Sequence, residues 1–287
     1  MPVALEQYEV CLTIPARNTR SDRVPNGLGR GVIWKVIRTS VIGTSHVDSR
    51  SPCQDECYAD VTTACDGSQY LICVVADGAG SASQSERGAE LACSTIRRSV
   101  ETSLSDQACN PIVDQTVVKW VKNVRRQIYQ AAAEDALVVR EFACTLIGAV
   151  VGPSRSVFFQ IGDGSIVAKK NDIAGVVFWP DSGPYVNTTY FVTDEDALDR
   201  LQLTIVDAAF DEVALFSDGI QRIALSFDSQ VPYWPFFEPM FKILRGRHGD
   251  ACAPLDNELS RFLGSPEVNK RTDDDKTLIL ATRLRHE

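Results

Sequence analysis

Four acidic positions stand at the ends of apolar runs. Leu71-Ile72-Cys73-Val74-Val75-Ala76 stops at Asp77-Gly78, and Val213-Ala214-Leu215-Phe216 stops at Ser217-Asp218-Gly219. Val157-Phe158-Phe159-Gln160-Ile161 stops at Gly162-Asp163-Gly164, and Asp273-Asp274-Asp275 stands just before Leu278-Ile279-Leu280-Ala281. Short uninterrupted apolar segments suit strands covered on both faces. One Asp-Gly pair is an ordinary turn, but turns do not explain why strand ends keep carrying carboxylates. If the ends converge, they form an oxygen-rich site for hard cations such as Mg²⁺ or Mn²⁺.

The elements that must position these carboxylates follow from the pattern. Trp34 to Ser45 reads as a first strand, and Gly43 to Glu56 as a polar loop holding His46, Arg50, Gln54 and Asp55. Tyr58–Thr63 and a strand from Tyr70 flank a turn at Asp66-Gly67. Ser83 to Ser103 predicts a helix with Ala89, Ala92, Ile96 and Val100 on one face. Pro111 opens a second helix to about Ala136, striped by Val117, Val121, Val124 and Ile128, with Lys119, Lys122, Arg125 and Arg126 as a solvated face. Strands follow at Cys144–Val151, Ser156–Ile161 and Ser165–Lys169, then a mixed stretch over 171–207 in which Thr193 caps a helix start. A strand over Glu212–Ser217, helices over Trp234–Leu244 and Pro254–Leu263, and a strand over Thr277–Thr282 complete the pattern. There is no regular βαβα alternation, so the class is α+β, with antiparallel sheets and helices packed outside. Residues 1–31, broken by Pro15, Pro25, Gly27, Gly29 and Gly31, read as an irregular N-terminal arm.

Composition narrows the function. A chain of 287 residues with 44% hydrophobic content supports a sizeable core. A net charge of −9 without a long basic run argues against nucleic acid as the main partner. No apolar stretch reaches the ~18 residues of a membrane span, and Met1 to Val10 lacks the features of a secretory leader. Of nine cysteines, Cys73, Cys93 and Cys144 read as small core residues. Cys53, Cys57 and Cys65 cluster without a Cys-x-x-Cys pair, a weak signal for structural zinc. The odd count and missing leader predict a reducing, cytoplasmic setting.

Taken together, five short motifs resemble those of the metal-dependent Ser/Thr protein phosphatases of the protein phosphatase 2C family, in the family's order from about Thr39 to Arg283. They are Arg50 with Asp55 five residues on, Asp77-Gly78, Gly162-Asp163, Ser217-Asp218-Gly219 and Asp274-Asp275-Lys276-Thr277. Asp77-Gly78-Ala79-Gly80-Ser81 is most similar to a bacterial branch. The resemblance implies a four-layer α-β-β-α sandwich over 32–287, two antiparallel sheets flanked by helices, with a flap-like insert at about 171–207. It implies hydrolysis of phosphoserine and phosphothreonine by a metal-activated water at a two-ion Mg²⁺ or Mn²⁺ centre. Asp77 would bridge the ions, the Gly78 carbonyl and the region of Asp55 would complete one shell, and Asp218 and Asp274 would hold the other. Asp163 is the candidate for a third ion. Arg50 would grip the phosphate as a fork, and no cysteine need be a nucleophile. The implied partner is a phosphoprotein made by a Ser/Thr kinase. A catalytically weak pseudophosphatase that binds phosphoproteins, and a hydrolase of small phosphoesters, are the alternatives.

Three positions depart from the family pattern. Ala79 stands where many relatives carry a histidine proposed as general acid, Gln54 where some carry Glu, and Arg222 where relatives with a third ion carry Asp. His46 is the only histidine near the motifs; it is read first as a structural hydrogen-bonding group of its loop, with replacement of the missing acid as the alternative.

Overall fold

A computed structural model describes residues 33–180, 189–246 and 253–284. The N-terminal arm expected over 1–31 lies outside them, as does part of the insert. The chain opens with β1 (Ile33–Val41), a six-residue helix α1 (Thr44–Ser49), the hairpin β2 (Glu56–Thr63) and β3 (Gln69–Ala76), and two long helices, α2 (Ser85–Ser105) and α3 (Asp114–Glu134). Strands β4 (Leu146–Val151), β5 (Ser156–Ile161), β6 (Ser165–Lys170), β7 (Ile173–Val176), β8 (Gln202–Val206) and β9 (Glu212–Phe216) follow. The short helix α4 (Gln221–Ala224), two-residue strands β10 (Leu225–Ser226) and β11 (Val231–Pro232), helices α5 (Trp234–Gly246), α6 (Ala253–Leu263) and α7 (Pro266–Asn269), and strand β12 (Lys276–Leu284) complete the sequence of elements.

Two five-stranded antiparallel sheets form, in the orders β1-β12-β9-β6-β7 and β2-β3-β4-β5-β8. Strand alternation sorts their side chains. Leu71, Cys73 and Val75 of β3 meet Ile166 and Ala168 of β6, Val213 and Leu215 of β9, and Ile279 and Ala281 of β12 between the sheets. The other face of β3, Ile72, Val74 and Ala76, packs under α2 and α3 with Ala89, Ile96, Val121 and Ile128. On the far side, Ala214, Phe216, Leu278 and Leu280 pack under α5 and α6 against Phe237, Phe241 and Leu259. Both faces of each sheet are therefore covered, and the expected α-β-β-α layering is present. Each fully buried Val, Leu, Ile or Phe contributes about 1.5–3 kcal/mol to these interfaces.

Register brings the acidic positions to one end of the sandwich. Glu56 pairs with Ala76, Val75 with Ile147 and Leu146 with Ile161. The start of β2, the end of β3, the start of β4 and the end of β5 thus lie together. In the second sheet Leu278 pairs with Phe216, and Ser165 pairs with Phe216 on the other side. The start of β12, the end of β9 and the start of β6 are therefore neighbours. The β1–β2 and β5–β6 connections cross between the sheets at this same end, joining the two groups.

Several elements differ from expectation. The first strand stops at Val41, and Thr44–Ser49 forms α1 instead of loop; six residues are too few to show a helical apolar period. Helix α3 begins at Asp114, not at Pro111, and the Val113 N–H donates to the Thr116 hydroxyl at 3.4 Å. Within 171–207, β7 and β8 close one edge of each sheet, so the ends of the insert are part of the sandwich. Thr193 caps no helix, because the chain there makes turns; Asp194 accepts from the Phe191 N–H at 2.8 Å instead. Arg125, read as part of a solvated face, donates to the carbonyls of Val192 and Asp194 and pins this segment to α3. A disulfide joins Cys65, in the β2–β3 turn, to Cys109, in the α2–α3 connection. The sequence reading, which placed Cys65 only in a weak zinc cluster and expected a reducing setting, did not anticipate this pairing. Among the described residues, no helix is long and apolar enough to cross a membrane.

Candidate metal centre

The platform for Asp77 is the β3–β4 pair. Its N–H donates to the Thr145 hydroxyl at 3.0 Å, and its carbonyl accepts from the Thr145 N–H at 2.8 Å. Gly78 bridges to Cys144 and donates its N–H to the Gln54 carbonyl at 3.1 Å. A Cβ at Gly78 would lie 2.8 Å from that same carbonyl oxygen, so only glycine admits the approach. Asp218 follows β9 on a single 3-10 turn. Gly219 beside it would place a Cβ 1.9 Å from the Asp275 carbonyl oxygen, which is how closely β9 and β12 deliver Asp218 and Asp274 to one place.

Asp77, Gly78, Asp163, Asp218 and Asp274 line one cavity of about 180 Å³, together with His46. Gln54, Ala79, Gly80, Thr145, Thr189 and Phe191 complete its wall. Five of the predicted ligand positions therefore meet. The sixth, Asp55, is buried behind the wall and accepts from the Ser217 hydroxyl at 2.7 Å through Oδ2. Arg50 ends α1 with left-handed backbone (φ 59°, ψ 30°); it is exposed and outside the cavity lining. Asp163 sits in the β5–β6 crossover, where Gln221 Nε2 donates to its carbonyl. Arg222 is exposed on α4.

Gathering anions in a buried place makes each harder to ionise. Burial, then the Asp55 and Asp218 charges, holds the Asp77 carboxyl well above the carboxylate range. Asp55 is pushed up to about 7 by burial, against hydrogen bonds from Ser217 and Thr277. Asp218 is also pushed up to about 7, by burial and then by the Asp163 charge. Burial raises Asp274 too. The Asp77 and Asp218 carboxyls share a hydrogen bond. Asp55 Oδ1, Asp218 Oδ1 and Gln54 Oε1 are buried without a partner. Orphaned, proton-sharing carboxyl oxygens are what a bound divalent cation would satisfy, and an all-oxygen donor set is the chemistry of Mg²⁺ and Mn²⁺. Among the described residues no three His, Cys, Asp or Glu side chains form a ready cage for an ion. A hard cation that keeps several of its waters does not need one. Burial pushes the Cys53 thiol up, away from nucleophile behaviour.

The sequence reading gave no role to Asp275 or Thr145. Asp275 is 3% exposed; its Oδ1 accepts from the Gly43 N–H, and its Oδ2 from the Gln54 N–H, both at 2.6 Å. His46 Nδ1 lies 2.9 Å from the same Oδ2. Asp275 thereby ties the β1–β2 connection, which carries Asp55, to the start of β12. Thr145 was legible in principle, as the residue facing Asp77 where the third and fourth strands begin their pairing.

Residues 42–264 match the family model of protein phosphatase 2C. The chain is 38% identical over 248 residues to serine/threonine-protein phosphatase 3 of Escherichia coli (strain K12), covering 86% of this chain and 98% of that one. Two solved structures share the fold. The serine/threonine phosphatase Stp1 from Staphylococcus aureus has 16% identity and a TM-score of 0.55, covering 92% of this chain and 100% of that one. The catalytic domain of the serine threonine protein phosphatase PstP, in complex with 2 manganese ions, has 15% identity and a TM-score of 0.57, with 88% and 100% covered. With the match running from the end of β1 through α6 and a relative aligned over nearly its whole length, the chain belongs to the protein phosphatase 2C family.

Proposed function

We propose that this chain hydrolyses phosphoserine and phosphothreonine in proteins, with Mg²⁺ or Mn²⁺ held by Asp77, Asp218, Asp274 and the Gly78 carbonyl. The observation that carries this reading is the convergence of five acidic or carbonyl-bearing positions from two sheets on one cavity, with buried carboxyl oxygens left unpaired. When bound, the cations supply a nucleophilic water near neutral pH and offset charge on the phosphoryl oxygens. The chain's own part is positional. Thr145 and the β3–β4 pair hold Asp77 in place. Ser217 holds Asp55 just outside the cavity lining, where its carboxylate would support the shell of a bound cation. Asp163, at the crossover and in the cavity lining, would be the acid nearest a further ion. The Arg50 N–H caps α1 on the Val47 carbonyl, and its guanidinium has no hydrogen-bond or ion-pair partner among the described residues; it reaches a phosphate on the substrate as it docks. The substrate class is the product of a Ser/Thr kinase, and the fold of the PstP domain with its two manganese ions supports the two-ion reading.

The test is turnover of a phosphoserine peptide with and without Mn²⁺. Activity should appear with Mn²⁺, disappear with a chelator, and fall by several orders of magnitude in Asp77→Asn. Equal turnover in wild type and Asp77→Asn would refute the assignment.

A further inference from the structure

We propose that His46 is the proton donor to the departing seryl or threonyl oxygen and that Asp275 holds it for that task; this rests on the phosphatase reading above. Asp275 accepts from two main-chain N–H groups, which can only donate, so its carboxylate is an acceptor here. The 2.9 Å contact with His46 is therefore an Nδ1–H donated to Asp275 Oδ2. That bond orients the ring and leaves Nε2 on the opposite edge. His46 also lines the acidic cavity, in the company of Asp77, Asp218 and Asp274. The helix beneath the ring is anchored as well: the Ser45 N–H and hydroxyl both donate to the Asp273 carbonyl, at 3.0 and 2.7 Å.

The remaining lining offers no other acid. Its aspartates are needed as anions, and Gln54, Thr145 and Thr189 hold their protons at neutral pH. Imidazole is the side chain that carries and releases a proton in that range. A seryl alkoxide is a poor leaving group, so the reaction has a use for it. In the step, water oxygen bonds to phosphorus as the bond from phosphorus to the seryl oxygen breaks. The electron pair of the broken bond goes to that oxygen, which takes the proton from Nε2 and leaves as the neutral alcohol. The proton shed by the attacking water passes to solvent, and His46 is reprotonated from solvent. Water and phosphoester give alcohol and inorganic phosphate, with nothing else consumed.

The experiment compares two substrates in one preparation of each variant, with saturating Mn²⁺. A phosphoserine peptide needs a proton on its leaving oxygen, whereas p-nitrophenyl phosphate releases a stabilised phenolate and does not. His46→Asn, whose amide can still donate to Asp275, should lose on the order of 100-fold or more in kcat on the peptide. On the aryl phosphate it should lose less than about 5-fold. Asp275→Asn should show the same split at smaller size. The ratio of the two rates does not depend on how much of the variant is folded, so poor folding leaves the test intact. Equal losses on both substrates, or no loss on either, overturn the proposal. A wild type inactive on both substrates with Mn²⁺ overturns the phosphatase reading itself, and this inference with it.

Discussion

Replacing Asp218 by Asn should stabilise the metal-free protein while destroying its response to Mn²⁺. In the folded chain the Asp218 carboxyl is pushed up to about 7 from 3.8, first by burial and then by the charges of Asp163 and Asp274. At about 1.4 kcal/mol per pH unit, ionising it there is about 4 kcal/mol harder than in the unfolded chain. The sign follows. Between about pH 4 and 7 the folded protein holds a proton that the unfolded chain releases, so this contribution to stability is present at low pH and lost as pH rises through 7. Asp55, also raised to about 7, and Asp77, raised well above its ordinary value, act in the same direction. Asn keeps an oxygen for the hydrogen bond shared with Asp77 and carries no charge. Because its neighbours share the repulsion, the variant should recover about 2–4 kcal/mol at pH 8. At roughly 2 °C per kcal/mol for a domain of this size, that is about 4–8 °C in Tm. The assay is thermal unfolding with a chelator at pH 4.5 and pH 8, then with Mn²⁺ at pH 8. The variant should gain at pH 8, gain much less at pH 4.5, and show almost no Mn²⁺-dependent rise where wild type shows one. A variant that melts no higher than wild type at pH 8 without metal would refute the reasoning, as would one that answers Mn²⁺ as wild type does.

Two further outcomes follow from the geometry. Gly219→Ala forces a Cβ against the Asp275 carbonyl; it should lower stability by about 1–3 kcal/mol and reduce Mn²⁺-dependent kcat at least tenfold, read from melts and phosphopeptide turnover. Reducing the Cys65–Cys109 disulfide, which closes a loop with a sequence separation of 44, should lower stability by about 2–4 kcal/mol. Cys65→Ser should melt at the reduced wild-type temperature with or without dithiothreitol.

The strands that carry the acids were legible because each is a compact apolar run ending at a carboxylate, and a strand buried on both faces has to look that way. β3, β5, β9 and β12 lie within one or two residues of their expected bounds. The insert was not legible. β7 and β8 are short edge strands, only partly buried, so neither period-2 alternation nor an apolar run marks them. The turn at 192–199 was misread as a helix start because Thr193 and the acids after it fit a capping pattern locally, while the deciding contact, Arg125 from α3, is 67 residues away. The Cys65–Cys109 pair was hidden for the same reason: each partner lies in a turn, and only the packing of α2 against the β2–β3 hairpin brings them together. Asp55, Asp77, Asp163, Asp218 and Asp274 were found as strand-end acids or as parts of the family motifs. Asp275 was quoted only as a letter of the closing motif, with no role, since its purpose appears once the β1–β2 connection is folded over it.

The contrast between Asp274 and Asp275 separates holding a cation from holding the chain. The two acids stand side by side just before β12, which begins at Lys276, yet meet different surroundings. Asp274 opens onto the cavity and is exposed, whereas Asp275 is buried with both oxygens taken by Gly43, Gln54 and His46. An acid whose oxygens are all satisfied by the protein has nothing left to offer an ion. Asp55 and Asp218, each with one buried oxygen unpaired, have. Buried unpaired oxygens are destabilising by about 1–3 kcal/mol each, more when charged, so their persistence at one end of an otherwise well-satisfied sandwich calls for a compensating ligand. Asp275 stiffens the connection that carries Asp55, and Lys276, fully buried, adds its Nζ to the Asp274 carbonyl at 3.0 Å from the other side. The unsatisfied acids are thus mounted on satisfied ones, which keeps mutually repelling carboxylates in place until a cation neutralises them.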